Sequence, residues 1–273
     1  MKNIKIVFND IDKCMGMFEK PNYPLKQDLN GAFTGLHEIA RKTLDFPEVM
    51  FSVATGRSYY LSDNIMRESN HNGPSVFEMG NVIYLPEERS TIYLFERHQK
   101  FTREQTGLIN EFINWRRKME IYESKLQQIF PRINLRQMKD RECMLTYEFN
   151  GGEEVGRQFY EEVRKLMPGK IHRALEEGVL QLLFCDIAID ILPNIDKGEA
   201  VEFILDHYKI SRSEALAVGD SSHSDLRLLE SVDNIACPQN ADDRLKAYVA
   251  SRGGFISQHP VEKGLLEILN QIN

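Results

Sequence analysis

The stretch IKIVFNDIDKC, residues 4–14, decides how the rest of the chain is read. Ile4, Ile6, Val7 and Phe8 form an apolar run of the kind buried in a parallel sheet, whose strands are covered on both faces. Asp10 and Asp12 then stand at its C-terminal end, where desolvation penalises a carboxylate. Taken alone, two acids after a strand are ordinary turn residues. They also stand where parallel sheets carry their sites, just beyond the carboxyl ends of the strands.

Outward from this stretch, strand-like and helix-like pieces alternate. LNGAFTGLHEIARKTL places Phe33, Leu36, Ile39 and Ala40 on one helical face, VMFSVATGR reads as a strand, SYYLSDNIMRES as a helix and PSVFEMG as a short strand. The last third repeats the pattern, with GEAVEFILDHY as helix, EALAVGD as strand, SHSDLRLLESV as helix and NIACPQ as strand. ADDRLKAYVASR, GFIS and VEKGLLEILNQI close the series. Alternation with short links predicts an α/β fold, a parallel sheet flanked by helices.

The middle reads differently. TIYLFERH, CMLTYEFN and VLQLLFC are β-rich, and helical stretches run over about 103–128 and 153–167. Residues 86–185 are therefore expected to form an inserted α+β domain, and residues 1–85 and 186–273 the core, with the sheet alternation resuming at IAIDILP.

The 273 residues hold 42% hydrophobic and 27% charged side chains, a soluble globular balance with ample material for a core. The net charge of −7 argues against a general nucleic-acid or anionic-membrane partner. An acidic chain handling an anionic substrate needs a metal or a local positive cluster. The four cysteines have no CxxC pair or metal-ligand spacing and read as small buried hydrophobes. Asn9 and Asp10 interrupt the first apolar run, unlike a secretory leader, and no stretch is long enough to span a bilayer. A cytoplasmic protein is the expectation.

Polar residues recur at the ends of the alternating elements: Asp10 and Asp12, Thr55 after FSVA, Asp220 after LAVG, and Lys197 at a helix start in NIDKGEA. In a parallel sheet such ends share one edge. The set has a chemical logic. One carboxylate can attack phosphorus and a second can exchange protons with the leaving oxygen and with water. A third acid completes an oxygen-rich site suited to Mg²⁺, and a hydroxyl and an ammonium can hold phosphoryl oxygens.

These segments resemble the four motifs of the haloacid dehalogenase superfamily: DIDKC as motif one, ATGR as motif two, DKGEA as motif three and GDSSHSD as motif four. The motif set with the following CPQNADDRLKAYVAS is similar to the Cof-type branch, which includes sugar-phosphate phosphatases. The resemblance implies a doubly wound, Rossmann-like core with a type-two cap inserted after motif two that selects the substrate. It implies Asp10 as nucleophile, Asp12 as general acid and base, and Thr55, Gly56 and Lys197 as phosphate-binding residues. Asp10, Asp220 and the main-chain carbonyl of Asp12 would ligate Mg²⁺, with Asp225 in support. The implied activity is hydrolysis of a small phosphorylated metabolite, with a sugar phosphate as the expected class. A phosphomutase on the same fold and a non-catalytic phosphometabolite-binding protein are the rivals. Lys13, Cys14 and Met79 depart from the family pattern, which has Gly, Thr and Asn at those places.

Other features read blandly. His223 is expected at a helix start facing solvent, Trp115 to Lys118 as a solvated face rather than a nucleic-acid patch, and GGEEVG as the start of a helix. Cys14 is expected to be a packing residue rather than a reactive thiol.

Overall fold

β1 (Ile6–Asn9) is the strand predicted from the opening stretch, and all four of its residues are buried. It pairs in parallel with β2 (Met50–Val53) on one side and β10 (Ala215–Val218) on the other, so that Asn9 stands beside both Val53 and Val218. The computed structural model describes residues 1, 3–16, 33, 35–119, 122–131, 135–149, 152–185 and 188–272. The five-stranded sheet continues through β11 (Asn234–Cys237) to β12 (Phe255–Ile256), in the order β12-β11-β10-β1-β2. From β1 the chain first builds outward to β2 and later returns to build in the other direction. The crevice at such a reversal lies beside the carboxyl end of β1.

Helices connect these strands. α1 (Leu36–Thr43) packs against α2 (Tyr59–Glu68) and α11 (Val261–Leu269). α8 (Lys197–Tyr208) packs against α9 (Leu226–Glu230), and α10 (Asp243–Ser251) against β11 and β12. The start of α8 is fixed by a capping box, in which the Asp196 carboxylate accepts from the Glu199 N–H at 2.9 Å and the Glu199 carboxylate accepts from the Asp196 N–H at 3.0 Å. That box sets Lys197 as the first helical residue. β3 (Ser75–Phe77), β4 (Val82–Leu85) and β5 (Ser90–Tyr93) form a separate three-stranded sheet, and Val76 of β3 bridges Ala54 just past β2.

The chain divides into two compact units, Met1–Ile92 with Asp196–Asn273, and Tyr93–Ile195. The second holds an antiparallel sheet of β6 (Arg136–Gln137), β7 (Leu145–Glu148), β8 (Leu180–Cys185) and β9 (Ala188–Pro193), in the order β6-β7-β9-β8. With it run α3 (Leu94–Arg97), α4 (Arg103–Met119), α5 (Glu123–Ile129), α6 (Gly152–Lys165) and α7 (Gly169–Glu176). IAIDILP is thus not a strand of the parallel sheet. Its described residues, Ala188–Pro193, form β9, hydrogen-bonded antiparallel to β7 and β8, with Asp190 between Thr146 and Leu183. The helix expected over 103–128 is described as α4 and α5, and residues 120–121 between them lie outside the described residues. The solvated reading of 115–118 is corrected in part. α4 turns Leu108, Ile109, Phe112, Trp115, Arg116 and Met119 inward, while Arg117 and Lys118 stay exposed. Among the described residues, no helix is long and apolar enough to cross a membrane.

β1 is apolar except at Asn9, whose amide meets the buried His71 imidazole at 2.8 Å. Burial pushes that imidazole down to about 4 from an ordinary 6.5, against an opposing hydrogen bond at Ser69. The folded value lies below the unfolded one, so the unfolded chain binds the proton first. The contribution is complete above pH 6.5 and is lost as pH falls through 4. At 1.36 kcal/mol per unit, the loss reaches about 3 kcal/mol by pH 4. The gap in unfolding free energy between wild type and His71→Gln is expected to narrow by that amount between pH 7 and pH 4, read by urea denaturation. A gap independent of pH would show that His71 is not held neutral.

Candidate active site

Asp10 follows β1 directly, and its N–H continues the ladder to the Val218 carbonyl at 3.0 Å, so the backbone at the strand end is fixed. Lys197 reaches it from the first turn of α8. The Lys197 Nζ donates to Asp10 Oδ1 at 3.1 Å and to Asp225 Oδ1 at 2.7 Å, with all three side chains buried. Gly80 makes that approach possible. It has a φ of +110°, and a Cβ there would lie 2.2 Å from the Asp196 carbonyl, so the turn after β3 can lie against the start of α8 only without a side chain.

Asp225 organises the loop after β10. Its Oδ2 accepts the N–H groups of Asp220 at 3.0 Å and Ser221 at 3.1 Å, while Oδ1 holds Lys197 and the Ser224 hydroxyl. Both oxygens are therefore engaged, which suits a supporting role. Asp10, Asp220 and Asp225 each offer a carboxylate oxygen, and these atoms lie within 4.8 Å of one another.

The electrostatics follow from crowding in a dry site. Burial pushes Asp10 up to about 7, opposed by Lys197 and reinforced by Asp225 and Asp12. Asp220 is pushed up to about 8 by burial, then by Asp10 and Asp225, with Lys13 and Lys197 opposing. Burial alone lowers Lys197, but Asp10 and Asp225 outweigh it and hold the ammonium above the ordinary lysine range. Three carboxylates around one buried ammonium leave surplus negative charge that a divalent cation can relieve. The donors are all hard oxygens, a set that fits Mg²⁺.

Asp12 belongs to the neighbouring part of the site. Arg57 clamps it with two charge-assisted bonds, Nε to Oδ2 at 2.8 Å and Nη2 to Oδ1 at 2.6 Å. The Arg57 N–H donates to Thr55 Oγ1 at 3.2 Å, and the Thr55 N–H donates to the Val76 carbonyl at 2.9 Å. Gly56 lies beside the Met79 thioether, 3.1 Å from where a Cβ would stand. The structure thus brings Asp10, Lys197, Asp220 and Asp225 into one cluster and joins Asp12 to Thr55 through Arg57. The sequence pattern does not single out Arg57, although ATGR contains it. His223 is exposed, as expected.

The departures at motif one also resolve. Cys14 is fully buried, and burial, followed by Asp220, Asp10 and Asp225, raises its thiol far above the ordinary range, leaving a packing residue. Lys13 has a φ of 57°, a left-handed conformation that favours glycine, and its Nζ lies 3.9 Å from Asp220 Oδ2. Lys13→Gly is expected to keep the fold and match or exceed wild-type stability by up to about 1 kcal/mol in thermal or urea melts. A loss larger than that would show that the lysine side chain holds the loop.

Residues 158–268 match the family model of haloacid dehalogenase-like hydrolases, a span that includes Lys197, Asp220 and Asp225. No curated protein sequence matches. By structure, the chain is similar to the sucrose-phosphatase of Synechocystis, solved with sucrose and phosphate. That likeness has 18% identity and a TM-score of 0.57, over 99% of this chain and 98% of that one. It is also similar to a haloacid dehalogenase-like hydrolase of Bacteroides thetaiotaomicron, at 14% identity and a TM-score of 0.62 over 98% and 99% of the two chains. A protein of Thermoplasma acidophilum is similar at 17% identity and a TM-score of 0.62, over 98% and 97%. At these identities the structural likenesses speak to fold.

Proposed function

We propose that this haloacid dehalogenase-like hydrolase is a Mg²⁺-dependent phosphatase of small phosphorylated metabolites, with sugar phosphates as the favoured class. The observation that carries the reading is the buried Lys197 ammonium shared by Asp10 and Asp225, with Asp220 beside them. Binding alone does not require a carboxylate held this way at a strand end. The sugar preference takes its support from the fold shared with a sucrose-phosphatase.

In this reading an Asp10 oxygen attacks phosphorus, forming an acyl phosphate as the ester P–O bond breaks. Asp12, entering the step protonated with one oxygen released from Arg57, gives that proton to the departing alkoxide and regains one from the water that attacks the acyl phosphate. Inorganic phosphate leaves and Asp10 is restored. Arg57 orients Asp12 between these transfers. Lys197, Thr55 and the Gly56 backbone hold phosphoryl oxygens. Mg²⁺, held by Asp10, Asp220 and the Asp12 carbonyl with Asp225 in support, would neutralise phosphoryl charge. The inserted unit, residues 93–195, is assigned the selection of the alcohol portion.

Phosphate release from a panel of sugar phosphates and phosphoglycerate derivatives is the direct test. Release that depends on Mg²⁺ and stops with chelator is expected, without an activating bisphosphate. No release from any member would remove the reading. Asp12→Asn is expected to lower kcat about 10²–10⁴-fold, and less for nitrophenyl phosphate, whose leaving group needs little protonation. An equal loss for both ester types would remove Asp12 from acid catalysis.

A further inference from the structure

We infer that His71 is a positioning residue for Asp10, acting through Asn9; this rests on the phosphatase reading and deepens it. Asn9 ends a central strand with both neighbours paired, a place where an amide is costly unless bonded. It is bonded at both ends. Its Nδ2 donates to the Asp10 carbonyl at 3.0 Å, so its Oδ1 faces His71 Nε2 at 2.8 Å. An amide oxygen has no proton, so Nε2 donates, which fixes the ring's tautomer. Nδ1 then faces the Ser69 hydroxyl at 2.8 Å. Ser69 is the residue that ends α2, and the His71 N–H donates to the Met66 carbonyl of that helix at 2.8 Å. The ring also packs edge-on against Phe51 of β2, with centroids 6.2 Å apart.

A buried chain therefore runs from the end of α2 through His71 and Asn9 to the carbonyl of Asp10. The other side of Asp10 is tied as well, since its N–H is held by Val218. Both peptide groups flanking the attacking residue are fixed, and Lys197 holds one carboxylate oxygen. Only a residue held this way keeps its oxygen on line for phosphorus, and a displacement of about 1 Å can cost about 10²-fold in rate. A purely structural role would be met as well by two packed apolar side chains, because replacing both partners of a buried hydrogen bond is often nearly neutral.

That contrast supplies the test. The pair Asn9→Leu with His71→Phe is compared with His71→Leu, His71→Gln and Asp10→Asn. The probe is beryllofluoride with Mg²⁺, which mimics a phosphoryl group on a carboxylate and is read by fluorine NMR, beside kcat and KM on the best substrate. The apolar pair is expected to fold with near wild-type melting, to bind beryllofluoride at least about tenfold more weakly, and to lose kcat by about 10–100-fold with KM little changed. His71→Gln, whose amide can still donate to Asn9, is expected to recover part of the loss seen in His71→Leu. Wild-type affinity and kcat in the folded apolar pair, with Asp10→Asn inactive, would overturn the positioning role and leave the phosphatase reading standing. Absence of the beryllofluoride adduct from wild type would remove the nucleophile assignment and this inference with it.

Discussion

Asp10→Asn is expected to abolish turnover, a loss of about 10⁴-fold or more, while the protein stays folded. The amide keeps the shape of the carboxylate and removes the charge that the proposed mechanism needs for attack. Stability is expected to hold or rise. Asp10 is buried and pushed up to about 7, first by its desolvation and then by neighbouring carboxylates, so neutralising it relieves repulsion among Asp10, Asp220 and Asp225. Lys197 retains Asp225 at 2.7 Å as its partner. The check is phosphate release at saturating Mg²⁺ together with a thermal melt, on protein verified free of deamidation back to aspartate. Normal turnover by the folded variant would reduce Asp10 and Asp12 to turn residues.

Lys197→Met has a comparably large expected effect, on stability as well as rate. The side chain is nearly inaccessible and lies between two carboxylates that are themselves buried. Methionine fills much of the space, yet leaves both acids without their cation. Breaking a buried pair in this way typically costs about 3–5 kcal/mol, because the remaining charge stays desolvated. Urea denaturation without divalent cation is expected to show a loss in that range, and added Mg²⁺ to return part of it by supplying positive charge at the same cluster. Turnover is expected to fall with it, since the ammonium is the protein's own cation next to Asp10. A variant as stable as wild type with unchanged kcat would show that Lys197 is neither structural support nor phosphate ligand.

Much of this site is legible in the sequence alone, because a parallel sheet delivers strand ends to one edge. Asp10 stands at such an end, and Lys197, 187 residues later, meets it from the start of α8 rather than from a strand of that sheet. What pattern does not carry is the identity of a strand's partner. IAIDILP has the apolar content of a buried strand in either kind of sheet, and only its pairing with β7 and β8 assigns it to the second unit. Arg116 shows a different failure. The spacing of Leu108, Ile109, Phe112, Trp115 and Met119 places residue 116 on the inward face, but the run of basic residues suggests solvent. The Arg57 clamp on Asp12 comes from the last residue of ATGR, so a local signal for it exists. The Asn9–His71 contact spans 62 residues with no local signal at either end.

The most direct test of the central claim is acid-quench trapping of the phosphoryl-enzyme during turnover, with the modified residue mapped by mass spectrometry. Phosphoryl label on Asp10, forming and decaying at rates that account for kcat and absent from Asp10→Asn, is the predicted result. Label on any other residue, at rates that account for turnover, would contradict it.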